Sequence, residues 1–99
     1  MAKYTVIIQP EAEADLDEAF EYLENIKPNL GFGLLAEVSD IIGLLEDNPY
    51  LFQIIEGQKR RVVVKRFKYN LFYKIKGDYV YILAILHGGK SSKWWKTRR

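Results

Sequence analysis

The spacing of apolar residues in this chain changes at Pro10 and again at Pro49, and the two changes restrict the folds open to it. Between them Ala12, Leu16, Ala19, Phe20, Leu23 and Ile26, and then Leu34, Leu35, Val38, Ile41, Ile42 and Leu45, recur every three to four residues. That period describes two helices, each with one apolar face. Glu11, Glu13, Asp15, Asp17, Glu18, Glu21 and Glu24 fill the other positions of the first helix, which reads as a solvated face. Pro10 suits the first helical position, and the early acids favour the positive end of the helix dipole. Ile26-Lys27-Pro28-Asn29 is so short a connector that the helices must be antiparallel neighbours. Gly31, Gly33 and Gly43 weaken the second helix by roughly 1 kcal/mol each relative to Ala and predict a ragged first turn.

Outside the two prolines the period is two. Lys3 to Gln9 is β-branched and aromatic and reads as a first strand stopped by Pro10. Beyond Pro49, Arg61 to Phe67, Tyr69 to Lys76 and Tyr79 to His87 are β-rich runs. Lys76-Gly77-Asp78 marks a tight hairpin, and Lys68 a short turn or bulge. Tyr50 to Glu56 reads as a further short strand or as an extended loop. The expectation is one α+β domain over residues 1–99, in the order β-αα-βββ. A helical hairpin packs on one face of an antiparallel sheet, and the other face is open. Alternation turns Tyr69, Leu71, Tyr73 and Ile75 towards the helices and Asn70, Phe72, Lys74 and Lys76 away. In the last run it sets Val80, Ile82, Ala84 and Leu86 against Tyr79, Tyr81, Leu83, Ile85 and His87.

Composition removes several classes of function. An aromatic fraction of 14% is too high for intrinsic disorder. With no cysteine and one histidine, neither a disulfide framework nor a structural zinc is expected, and no metal or cofactor is called for. No apolar run approaches the roughly 18 residues of a membrane span, and the N-terminal run is too brief for a signal segment, so a cytoplasmic location is expected. The net charge of +2 hides a partition. Residues 1–48 hold two cations and eleven acids, for −9; residues 49–99 hold thirteen cations and two acids, for +11. Either the basic half presents a positive face to phosphate or an acidic partner, or the two halves neutralise each other within the fold.

The order and spacing of several pieces resemble the RelE/ParE superfamily of small toxins of bacterial type II toxin–antitoxin systems, and within it the ParE-like, or plasmid-stabilisation, branch. The pieces are Tyr4-Thr5-Val6 leading to Pro10, Ala14-Asp15-Leu16, Leu45 to Pro49, Arg60 to Tyr69 with Phe72-Tyr73, and Ile82 to His87 followed by Trp94, Trp95 and a terminal Arg. The chain departs from the family's common Phe-Pro-Tyr at Phe67-Lys68-Tyr69, and has Lys90-Ser91-Ser92 where an Arg-Asp-Pro-like turn is common. The resemblance implies the β-αα-βββ fold, neutralisation by a cognate antitoxin, and DNA gyrase as a target inhibited by binding. The RelE-like alternative is a ribosome-dependent messenger RNA endonuclease. A third reading is a degenerate, non-toxic member that binds an antitoxin-like partner.

Candidate residues follow from these readings. A nuclease of this kind needs a base for the 2′-hydroxyl, an acid for the leaving oxygen and cations for the developing charge, types that His87, Lys65, Arg61 and Lys90 supply. The RelE-like ribonucleases tend to place Arg where this chain has Asn70 and Tyr where it has Gly88. A binding toxin would use Arg60, Arg61, Lys65, Arg66, His87, Lys90, Trp94, Trp95 and Arg98 towards target or antitoxin. The plain alternatives are a hydrogen-bonding structural histidine, strand-edge cations that discourage aggregation, and tryptophans that pack on the sheet.

Overall fold

The computed structural model describes residues 3–90, the side chain of Lys90 excepted, and Arg98. Strand β1 (Thr5–Ile8) leads into helices α1 (Pro10–Ile26) and α2 (Leu30–Asp47). A 3-10 turn (Pro49–Leu51) delivers the chain to β2 (Ile54–Glu56), β3 (Lys59–Val64), β4 (Tyr69–Lys76) and β5 (Tyr79–His87). Helix α1 and the last two strands have the expected bounds, and Tyr50 to Glu56 divides into a turn and a short strand. The run from Arg61 differs. Its strand begins at Lys59 and stops at Val64, and Lys65 to Lys68 form a turn that lowers Phe67 into the core. The Phe67 amide donates to the Val64 carbonyl (3.2 Å), and Lys68 takes a left-handed φ of 59°.

The helical hairpin is closed by a carboxylate from α1. Glu24 accepts from the Asn29 amide through Oε1 (3.2 Å) and from the Gly31 amide through Oε2 (2.7 Å). Two amides that the start of α2 would otherwise leave without partners are thereby satisfied. Asn29 turns the chain with φ 72°, and Phe32 meets Phe20 edge-on at 4.9 Å. Instead of the ragged first turn expected from its glycines, α2 is regular from Leu30.

The five strands lie in the order β1-β5-β4-β3-β2. Strands β2 to β5 pair antiparallel, while β1 runs parallel to β5, from Thr5 opposite Tyr79 to Ile8 opposite Ile82. The α+β class holds, and the sheet is mixed rather than wholly antiparallel because the first strand pairs with the last. Tyr69, Leu71 and Tyr73 face the helices, as alternation predicts, and share a core with Leu34, Val38, Leu45, Val62, Val64 and Val80. The other face is not simply open. Phe72 and Ala84 are buried there, with Ile55 and Leu86 packed against them.

Within β5 one residue breaks the alternation. Tyr73 pairs with Ile82 but Phe72 pairs with Ala84, so Leu83 is an extra residue, a β-bulge. Val80 and Ile82 face the helices before it and Ile85 after it, while Ala84 moves to the far face beside Phe72. The division of the last run read from strict alternation therefore fails beyond Ile82. The bulge also turns His87, paired with Tyr69, to the helix side.

Candidate functional site

Strand β1 ends at Ile8 and the chain enters α1 at Pro10, so its pairing with β5 stops at Ile82. Helix α1 lies along the outer edge of β5 from there on, and Asp15 reaches that edge. The Ile85 amide donates to Asp15 Oδ2 (3.1 Å). Arg98 Nη1 donates to the same oxygen and to the Leu83 carbonyl (3.4 Å), and Nη2 to Oδ1 (3.4 Å). The Asp15 side chain is 11% exposed and that of Arg98 20%, so the pair is largely screened from water. A charge there must be matched by partners, and each is.

Next to Asp15 opens a groove of about 300 Å³, walled by Glu18 and Tyr22 of α1 and by Tyr69, Ile85 and His87 of the sheet. Tyr69 is 7% exposed. Burial raises its pKa above the ordinary phenol value, with Tyr22 and then Glu18 acting in the same direction, so its hydroxyl is neutral at physiological pH. The His87 ring meets Tyr69 edge-on with centroids 5.4 Å apart, and its Nδ1 accepts from the Gly89 amide (3.4 Å).

The sequence-derived candidates do not share one surface. Arg60 is a brace: it donates to the carbonyls of Phe52 (2.7 Å) and Tyr50 (3.4 Å) and lies 5.1 Å over the Tyr50 ring. Arg61, paired with Phe72, is exposed on the face away from the helices. Lys65 stands in the β3–β4 turn and lines a shallow cleft with Glu37 and Asp40 of α2. Arg66 stacks over Phe67 at 4.8 Å and has Glu37 Oε2 at 3.9 Å, a loose pair between an exposed guanidinium and a carboxylate oxygen withdrawn from water. Arg98 is bound to Asp15, and His87 faces the groove. Trp94, Trp95 and the Lys90 side chain lie outside the described residues. Alternation alone separates Arg60 from Arg61, and the turn carries Lys65 and Arg66 off the sheet. Part of the charge partition is neutralised internally, by Arg66 on Glu37 and Arg98 on Asp15.

The family model for the ParE toxin of the type II toxin–antitoxin system parDE matches residues 6–91. The chain belongs to the ParE toxin family. A solved chain of the chromosomal ParDE TA system from P. aeruginosa superposes on it with a TM-score of 0.75. The two are 17% identical, and the match covers 86% of this chain and 96% of that one. At that identity the likeness is one of fold. No curated protein matches the chain. The ParE match spans β1 to β5 and so includes the bulge, the groove and the exposed face that carries Arg61.

Sequence reasoning missed Asp15, which it assigned to a solvated helix face. The signal was present: Asp15 lies three residues after Ala12 and four before Ala19, both buried, so its phase belongs to the inward stripe. Glu24 was missed in the same way, since it caps the second helix rather than facing water. Nothing in the local pattern marks Tyr69 as a groove residue, because only the bulge brings His87 beside it.

Proposed function

We propose that this chain is the toxin of a cytoplasmic type II toxin–antitoxin module, that it acts by binding DNA gyrase, and that a cognate antitoxin neutralises it. Membership of the ParE toxin family supports the class. The observation that favours binding over hydrolysis is the separation of the nuclease candidates. Cleavage by a 2′-hydroxyl requires base, acid and cation around a single phosphate. His87 faces the α1 groove, Arg61 stands on the opposite face of the sheet, and Lys65 lies beside the acids of α2. The far face instead offers Arg61 with Lys74 and Lys76, and Lys74 sits 5.8 Å over the Tyr81 ring. Such a face suits an acidic protein surface, where cations set orientation and association rate.

The test is induced expression of the chain alone and together with its neighbouring reading frame, followed by a supercoiling assay with purified gyrase. Growth arrest relieved by the neighbour, with gyrase inhibited in vitro, is the expected result. Harmless expression of the intact chain would overturn the toxin reading. Arrest with unaffected gyrase and cleaved messenger RNA on translating ribosomes would replace it with the nuclease.

A further inference from the structure

The groove beside Asp15 has a composition that the basic face does not explain. Asp15, Glu18 and Tyr22 are three and four residues apart on α1 and form one stripe along the outer edge of β5. Asp15 is fully engaged by Ile85 and Arg98. Glu18 is exposed and has no hydrogen-bond or ion-pair partner among the described residues. Opposite it stands the Tyr69 side chain, more than nine-tenths buried, whose hydroxyl has no hydrogen-bond partner among the described residues and is turned into the groove. With the rest of the residue packed away, that hydroxyl is what a donor entering the groove would meet.

We propose that this groove is a binding site for an arginine side chain presented by a partner protein. The guanidinium donates to the Glu18 carboxylate and to the Tyr69 hydroxyl, while the rings of Tyr22 and His87 flank its plane. A planar fork with five donors spans two separated acceptors between aromatic walls better than the single ammonium of lysine does. The apolar stem of arginine suits Ala19 and Ile85. The molecule already shows the same chemistry one helical turn away, where its own Arg98 guanidinium is held by Asp15 and a strand carbonyl. This assignment does not depend on gyrase being the target or on the chain being toxic.

The experiment is a titration of the full chain, made by cell-free synthesis and isotopically labelled, with N-acetyl-arginine N-methylamide followed by amide NMR. Saturable shifts at Glu18, Tyr22, Tyr69, Ile85 and His87 are expected. Glu18→Gln should weaken binding about tenfold, the size of one charge-assisted hydrogen bond. Tyr69→Phe keeps the packed ring, removes only the hydroxyl, and should weaken binding roughly threefold to tenfold with unchanged thermal stability. Glu37→Gln, in the other acidic cleft, should change nothing. The proposal is overturned if the neutral citrulline analogue shifts the same amides equally, if Glu18→Gln binds like the parent, if no saturable shift occurs, or if free arginine binds as tightly as the blocked, peptide-like form.

Discussion

Asp15 on the first helix and Arg98 near the C-terminus, 83 positions apart in sequence, form an ion pair over the outer edge of β5. The same carboxylate takes the Ile85 amide, so one side chain satisfies a strand edge and holds Arg98 against it. Removing Asp15 leaves the Ile85 amide without its partner and a largely buried guanidinium with only the Leu83 carbonyl to balance it. Asp15→Ala is expected to destabilise the fold by about 3 kcal/mol in chemical denaturation. Arg98→Ala leaves Asp15 its amide and access to water, and should cost about 1–2 kcal/mol. In a double-mutant cycle the two losses should be clearly less than additive.

Tyr73 is fully buried, and its hydroxyl donates to the Pro49 carbonyl (2.5 Å), fixing the 3-10 turn to the sheet. Tyr73→Phe should cost about 1–2 kcal/mol near neutral pH. Burial pushes the Tyr73 pKa up to about 12, against the opposing charge of Arg60. The unfolded chain ionises this group near pH 10, before the folded protein does. The Tyr73 contribution is therefore complete below pH 10 and is lost as pH rises from 10 towards 12. Denaturation midpoints should fall less steeply over that window in Tyr73→Phe than in the parent.

The glycines of α2 are not equivalent. A Cβ at position 31 would stand 2.7 Å from both the Phe20 carbonyl oxygen and its ring carbon Cδ1, and backbone cannot move aside cheaply. Gly31→Ala should destabilise by about 1–3 kcal/mol through separation of the helices. At position 43 the same Cβ meets open space, so Gly43→Ala should stabilise by about 0.5–1 kcal/mol. Thermal melts of the two variants should move in opposite directions.

Lys68 holds φ at 59° in the β3–β4 turn and is exposed. Lys68→Gly should stabilise by roughly 1 kcal/mol, because glycine has no Cβ to clash in the left-handed region. Proline, common at this place in the family to which the sequence is similar, is confined to negative φ. Lys68→Pro should destabilise by about 3 kcal/mol or force the turn into another conformation, visible as displaced amide resonances from Val64 to Tyr69.

The secondary-structure elements follow from local pattern. Helical and alternating periods, broken by Pro10 and Pro49, are local properties of the chain, and they placed α1, β4, β5 and the inward face of β4 without reference to any partner. The basic cluster was also legible as charge, though not as a surface, because Arg60 and Arg61 must diverge on a strand while Lys65 and Arg66 belong to a turn. Features that depend on groups far apart in sequence arise only on packing: the parallel pairing of β1 with β5, the bulge at Leu83 that reverses the second half of the last strand, and the capture of Arg98 by Asp15. Each is fixed by satisfying backbone or charged groups that burial would otherwise leave without partners, and which partner comes within reach is set only when the helices and the sheet pack together.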